Sequence, residues 1–481
     1  MISVGWHEVV FALYVAWVIG ASAALLMSRR SPTATLAWMF AFATLPVASG
    51  IFYLVFGPRR LRRRRALYGI ARGLLASDVS KHLRSSCSPT RPPLTPDAAG
   101  LASVVERLGQ GAPTFAIAAA LLDDGDAKFE ALEDAIVKST HHVHLEYYIW
   151  EDDDVGRHFR DLLVEARRRG VAVRVLYDAV GSPGVRRSFW APLTGAGGEV
   201  LAFNPVGIML GSIRLANFRT HRKIVVCDGG IGFLGGINLH NPESATRSSR
   251  NAWRDAHVRI EGEPVRRLQR LMLENWMYAG GAFTLTPESL SRYFPPAHTA
   301  QGEGVQIIAS GPDDESASLH AFYLAAISSA RHRIWIETPY LIPDEPLEAA
   351  LGIAVLRGVQ VEVIVPREAD SRLVNAASHT YCESLARAGV AVREYGPPML
   401  HAKTMVVDDT VALVGTANFD NRSFRLNFEV AAAFYGGESV ARLARRFDED
   451  RAVSHPFPRL RRGPRITACL ESIARLASPI L

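Results

Sequence analysis

The chain has 481 residues, 48% of them hydrophobic, which is enough for two or three domains with cores of their own and excludes disorder as its main state. Its net charge of +6 sits at one end: the segment 1–65 holds eight arginines (Arg29, Arg30, Arg59, Arg60, Arg62, Arg63, Arg64 and Arg65) against one acid, Glu8, leaving bases and acids nearly balanced in the remainder. A near-neutral body does not suit a generic nucleic-acid surface, so no nucleic-acid partner is expected.

From Val9 to Met27 the chain runs without a charge, and from Thr35 to Phe56 it does so again. Each run is near the length that crosses a hydrocarbon core as a helix. No Lys or Arg precedes the first run and a second follows at once, which argues against a cleaved signal peptide and for a two-helix transmembrane hairpin. Arginines 59, 60 and 62–65 follow directly, and juxtamembrane arginines stay on the cytoplasmic side. That rule predicts a multi-pass protein of the inner (cytoplasmic) membrane with its body in the cytoplasm. The cluster either sets this topology alone or also binds anionic membrane lipid.

Residues 1–65 are thus expected to be the membrane segment, and 66–112 a linker, since 85–100 is rich in Ser, Pro and Thr. The rest repeats itself, as a first α/β domain over 113–305 and a second over 306–481. The first copy has an amphipathic stretch near Ala131–Ser139, a strand His144–Trp150, a helix ending at Gly170 and a strand Val171–Tyr177. The second has a helix near Ala321–Ala330, a strand Ile334–Glu337, a helix ending at Gly358 and a strand Val359–Val365. Strands alternating with helices, with Gly closing the helix before the last strand of each copy, predict a duplicated α/β unit around buried sheets. The segment 183–211 is read as a loop that covers the site or touches lipid. The stretch Ile466–Leu476 is amphipathic and lies either on a membrane or on the body.

Each copy then carries the same pattern: His221-x-Lys223-x4-Asp228-x6-Gly235-Gly236-x-Asn238 in the first, and His401-x-Lys403-x4-Asp408-x6-Gly415-Thr416-x-Asn418 in the second. One such match is weak; two at corresponding points of a repeat are specific. In an extended segment the first and third residues share a face, so each copy sets an imidazole beside an ammonium. Breaking a phosphodiester needs a nucleophile, an acid for the departing alkoxide and cations for the non-bridging oxygens. Two histidines and two lysines supply all of these if the copies face each other, and Asn238 and Asn418 add neutral donors for phosphate. Gly236 stands where the second copy has Thr416, so a hydroxyl would touch phosphate in one half only.

Cys87, Cys227, Cys382 and Cys469 lie too far apart for a zinc site or a disulfide scaffold and read as reduced thiols, Cys227 as a small buried hydrophobe. His141, His142 and His144 have no Cys or carboxylate completing a ligand set and read as surface histidines.

The duplicated motif is the signature of the phospholipase D superfamily, and the chain resembles the cardiolipin synthases within it. The stretches that carry the likeness beyond the motifs are Asn217–Lys223, Trp253–His257, Glu337–Asp344 and Asn418–Glu429. The resemblance implies two tandem phospholipase D-like domains forming one pseudo-symmetric body. It also implies transfer between two phosphatidylglycerol molecules to give cardiolipin and glycerol. His221 would attack phosphorus to form a phosphohistidine, and His401 would act as acid and then base; near symmetry leaves the two exchangeable. It points to Glu429 as the partner orienting His401 and Asp255 as the partner of His221, and to Asp228 and Asp408 as structural members of the motif. No metal and no cofactor is implied, since the lysines stabilise the phosphate. A membrane-bound hydrolase using water would need the same four His and Lys residues; a catalytically dead lipid-organising scaffold would not keep both motifs intact.

Overall fold

The structure is a computed structural model and describes residues 5–27, 32–56, 69, 73, 91–205, 217–248, 252–282, 286–296, 301–314, 316–458, 465–479 and 481. The arginines at 59–65 and Cys87 lie outside the described residues, as do 206–211 of the expected 183–211 loop.

Helix α1 (Trp6–Leu26) has 21 residues and so reaches about 30 Å, the thickness of a hydrocarbon core. Among the described residues it is the one helix long and apolar enough to cross a membrane. The second apolar run does not form a second such helix, which corrects the expected hairpin. It is divided into α2 (Pro32–Thr44) and α3 (Pro46–Phe56), each too short to span. The break falls at Leu45–Pro46, where proline lacks an N–H and disfavours helical geometry in the residue before it. The run still folds back on α1: the Trp17 and Phe42 rings meet edge-on at 5.8 Å.

The expected linker contains a helix, α4 (Pro96–Arg107), begun by Pro at its first position and capped by the Thr95 hydroxyl. Ala98, Leu101, Ala102 and Val105 on its inner face join the core of the second repeat.

The first repeat supplies β1 (Thr114–Leu122), α5 (Gly125–Lys138), β2 (His142–Tyr147), α6 (Asp154–Arg168), β3 (Ala172–Asp178), α7 (Arg187–Gly195) and β4 (Glu199–Phe203). It continues with β5 (Ile224–Cys227), β6 (Ile231–Gly235), β7 (His257–Gly262) and α8 (Pro264–Tyr278). Within the expected 183–211 loop, most of the described residues, 183–205, therefore belong to α7 and β4. The second repeat opens with β8 (Glu303–Ser310), α9 (Ser318–Ser329), β9 (Arg333–Glu337), β10 (Leu341–Ile342), α10 (Glu345–Leu356) and β11 (Gln360–Pro366). After α11 (Arg372–Arg387) come β12 (Ala391–Tyr395), β13 (Thr404–Val407), β14 (Val411–Gly415), β15 (Phe419–Asp420) and α12 (Asn421–Arg425). It ends with β16 (Glu429–Tyr435), α13 (Gly437–Val453), β17 (His455–Pro456) and α14 (Arg465–Arg475).

Fifteen strands form one sheet in the order β17-β12-β11-β9-β13-β14-β16-β8-β1-β7-β6-β5-β2-β3-β4. Apart from β17 the order reads as a mirror about β8–β1, which pair antiparallel from Thr114↔Val305 to Ala116↔Glu303. The duplication seen in sequence thus becomes a pseudo-two-fold axis through the sheet centre. Helices α8 and α13, one from each repeat, cover one face with a core shared by both halves. The other face has separate cores, under α5, α6 and α7 in the first half and under α4, α9, α10 and α11 in the second.

Burial on both faces overturns the surface reading of two histidines. His142 and His144 lie within β2 and are fully buried, with rings 4.6 Å apart and Gln269 of α8 bonded to both. Of the cysteines, Cys227 and Cys382 are free and buried, and burial pushes the Cys227 thiol up to about 12.

Candidate active site

Both motifs sit just before the hairpin strands β5 and β13, and each is held by the other half. Thr220 bridges to Phe428: His221 N–H donates to Phe428 O at 3.0 Å and Phe428 N–H to Arg219 O at 2.9 Å. In the mirror contact His401 N–H donates to Arg254 O at 2.7 Å and Arg254 N–H to Met399 O at 2.8 Å. Buried arginine pairs fix these crossings. Arg219 reaches Asp178 at 3.3 Å, whose other oxygen takes Thr220 N–H, and Arg254 reaches across the halves to Asp450 at 2.8 Å.

This crossing exchanges the expected histidine partners. His221 Nδ1 lies 3.0 Å from Glu429, and His401 Nδ1 lies 2.5 Å from Asp255. The reason is the position of each acid one residue beyond its crossing strand. Asp255 follows Arg254, which pairs beside His401; Glu429 follows Phe428, which pairs beside His221. Each acid therefore faces the opposite half's imidazole.

With Nδ1 occupied by a carboxylate, Nε2 of each ring is left for substrate. Both imidazoles are nearly buried. Burial and the Lys223 charge outweigh Glu429 and bring His221 down to about 4; burial and Lys403 also lower His401. Burial opposes the charge on Asp255 and Glu429, but the neighbouring lysine and histidine hold both below the usual carboxylate range. Burial, then repulsion from Lys403, brings Lys223 down to about 7. Lys223 Nζ donates to His221 O at 2.8 Å, and Lys403 Nζ to His401 O. Each lysine thus steadies its own motif while keeping N–H bonds for a phosphate. Tyr148, directly after β2, sets its ring edge-on against His221 at 4.8 Å, and Trp253 packs on His401 at 4.8 Å.

The remaining motif residues do other work. Asp228 accepts N–H bonds from Thr140, His141 and His142 at 2.8 Å each, and Asp408 those of Arg331, His332 and Arg333 at 2.8 to 2.9 Å. They tie the turns that open β2 and β9. Both sit at positive φ, 51° and 50°, where Asp is tolerated better than most residues. Asn238 is buried with its Oδ1 accepting Ile149 N–H at 3.1 Å, and Asn418 is buried with Oδ1 unpartnered. Thr416 does not face phosphate as expected: its hydroxyl donates to Glu429 and accepts Val430 N–H. In the first half the equivalent space is filled by Asp255 itself, since a Cβ on Gly236 would collide with Asp255 Oδ1.

Motif reading overlooked Tyr148, Asp178, Asp450 and Glu243. Tyr148 had one available signal, its place at the carboxyl end of a buried parallel strand, where α/β sheets carry their sites. Asp178 and Asp450 had none, because their partners lie far along the chain or in the other half. Glu243 bonds to Asn238 and His240 nearby, but its approach to Asp255 and His401 is not a local feature.

Comparison with known proteins agrees with this geometry. The family model for the phospholipase D-like domain of cardiolipin synthase matches twice, over residues 132–269 and 323–451, and a phospholipase D-nuclease N-terminal model matches 12–58. The chain is 38% identical over 468 residues to a cardiolipin synthase of Geobacillus kaustophilus (strain HTA426), covering 96% of this chain and 92% of that one. It is 36% identical over 474 residues to cardiolipin synthase 1 of Bacillus anthracis, at 96% and 92% coverage. Phosphatidylserine synthase of Haemophilus influenzae Rd KW20 superposes with a TM-score of 0.62 over 79% of this chain and all of that one, at 14% identity, a likeness of fold. Mirrored α/β halves that bring paired His-Lys motifs together at their interface define a phospholipase D-like phosphodiester-transferring enzyme. Within that class the chain belongs to the cardiolipin synthase family of phosphatidyltransferases.

Proposed function

We propose that the protein joins two phosphatidylglycerol molecules into cardiolipin and glycerol by double displacement at the half interface. The observation that carries this reading is the reciprocal pairing of His221 with Glu429 and His401 with Asp255, which occupies both Nδ1 atoms and leaves both Nε2 atoms for substrate beside two buried lysines.

His221 Nε2 attacks the phosphorus of the first lipid. The bond from phosphorus to the headgroup glycerol oxygen breaks, and that oxygen takes the proton of His401 Nε2 and leaves as glycerol. A phosphatidyl group now sits on His221. His401, neutral again, takes the proton from a headgroup hydroxyl of the second lipid; that oxygen attacks phosphorus, the P–N bond breaks and cardiolipin departs. Lys223 and Lys403 neutralise the non-bridging oxygens in both steps, with the amides of Asn238 and Asn418 alongside.

The enzyme works at a membrane that α1 anchors, with its body in the cytoplasm by the rule for juxtamembrane arginines. The C-terminal helix supports contact with that membrane. One side of α14 packs on α11 through Ala474, with Glu471 bonded to His379, while Leu470, Ile473 and Leu476 stand 61%, 56% and 79% exposed along a neighbouring stripe. Arg459, Arg461 and Arg462 precede it in sequence and suit anionic headgroups.

The test is to incubate the purified protein in chelating buffer with phosphatidylglycerol vesicles and follow lipid products and glycerol, with His221→Ala and His401→Ala alongside. Cardiolipin and glycerol rising together, and lost in both variants, is the expected result. Phosphatidic acid as the sole lipid product would make the enzyme a hydrolase.

A further inference from the structure

Glu243 has no part in the scheme above, yet it is fully buried beside the reacting centre. Its Oε1 accepts the N–H of Asn238 at 3.1 Å and lies 3.4 Å from His240 Nε2, while Oε2 has no hydrogen-bond partner. One carboxylate oxygen of Glu243, one of Asp255 and a ring nitrogen of His401 all lie within 4.8 Å of one another.

The second half shows what Glu243 is not needed for. There Ser423 follows Asn418 at the same spacing as Glu243 follows Asn238, and its hydroxyl takes the Asn418 N–H at 3.0 Å. A neutral hydroxyl therefore suffices to hold that backbone turn. A carboxylate buried with one oxygen unpaired is strongly unfavourable unless cations answer it. Lys128 lies on one side of Glu243 and the His-Lys pair of the second motif on the other.

The two histidines differ in the same sense. His221 faces one carboxylate, Glu429, whose charge is shared with the Thr416 hydroxyl and the Asn427 amide at 3.3 Å. His401 faces two, Asp255 and Glu243, with Lys403 Nζ 3.6 Å from Asp255 as the cation already in place. Lys223 and Glu429 act across the half interface, and Lys128 and His257 lie behind Glu243 and Asp255. Burial and Lys403 disfavour the charged form of His401, and Asp255 and Glu243 both favour it.

We propose that Glu243 is a positioning residue that offsets part of the cost of charging His401, so that more of it carries the proton for the departing glycerol, and that this second carboxylate makes the two halves unequal. The inference rests on His401 being the leaving-group acid, and the experiment separates the two claims. Glu243→Gln keeps an acceptor for Asn238 N–H and removes the charge; Glu243→Ser copies the second half and guards against a folding defect in the first variant. The rate of headgroup release is followed against pH with phosphatidylglycerol and with a phosphatidyl-p-nitrophenol lipid, whose leaving group needs no proton.

In both variants the alkaline limb with phosphatidylglycerol should move down by about one to two pH units, as expected from losing a charge at this range. Release of p-nitrophenol in the first turnover should proceed as in the parent. An unmoved limb, or an equal change with both leaving groups, which would place the effect on Lys223 or Lys403, overturns the proposal. His401→Asn tests the underlying reading alone: a surviving p-nitrophenol burst supports it, and loss of the burst removes His401 as the acid whatever Glu243 does.

Discussion

Glu429 belongs to the second half and His221 to the first, yet 3.0 Å separates them, and Asp255 reaches His401 across the same interface in the opposite direction. Neither half alone holds a histidine with its orienting acid.

This crossing makes a specific expectation for isosteric variants. Glu429→Gln should perturb the imidazole nitrogen signals of His221 and leave those of His401 in place, and Asp255→Asn should do the reverse. Each should lower turnover by about 10² to 10⁴-fold, the range for loss of a group that fixes a catalytic imidazole. Nitrogen-15 spectra of histidine-labelled protein, read beside the rates, check both; a shift at the same half's histidine would contradict the pairing.

Gly236 leaves the space that Asp255 occupies, because a Cβ there would overlap the carboxylate. Gly236→Ala should displace the carboxylate, free His401 to rotate and reduce turnover by at least about 10²-fold, with little loss of melting temperature. Thr416→Val, which removes only the hydroxyl on Glu429, should be milder. Rates for the two variants, with thermal melts as control, decide the matter.

Asp228 and Asp408 should behave as structural residues. Each takes three backbone N–H bonds at a turn, so Asp228→Ala or Asp408→Ala should destabilise by about 2 to 4 kcal/mol, the range for charged hydrogen bonds with donors left unpaired. Denaturant midpoints should fall while the rate per folded molecule stays close to that of the parent. A large loss of rate at unchanged stability would give these residues a direct part in the reaction.

His142 sets a pH dependence of stability. Burial lowers it from 6.5 to about 4, and burial lowers His144 in the same direction. The unfolded chain therefore binds more protons through this window, so stability rises with pH between about 4 and 6.5 and is fully present above it. The contribution of His142 is on the order of 3 kcal/mol. Urea midpoints should fall as the pH is lowered from neutral through this window, and His142→Gln should flatten the slope.

The exposed stripe on α14 predicts insertion into lipid. A tryptophan at Ile473→Trp, with the full chain in nanodiscs, should be quenched by brominated acyl chains, and one at the inward-facing Ala474→Trp should disrupt packing on α11 instead. Emission that stays at the aqueous maximum and unquenched would leave α14 in solvent.

The sequence by itself determined the duplication, the two His-Lys pairs, the asparagines and the strands and helices around them. These signals are local: periodicity within one element, and fixed spacing within one motif. It also showed α1, because an uncharged run of helical length needs no tertiary partner. It misjudged the second run because the break at Pro46 is an interruption of hydrogen bonding that hydrophobicity does not register. Only the tertiary structure decided which acid serves which histidine, since Asp255 and Glu429 are placed by crossings at Arg254↔Leu400 and Thr220↔Phe428 that no single repeat contains. The same holds for the burial of His142 and His144 and for the charge left over on Glu243. Burial is a property of what packs against a strand from other parts of the chain, and two halves of similar sequence become unequal only where they meet.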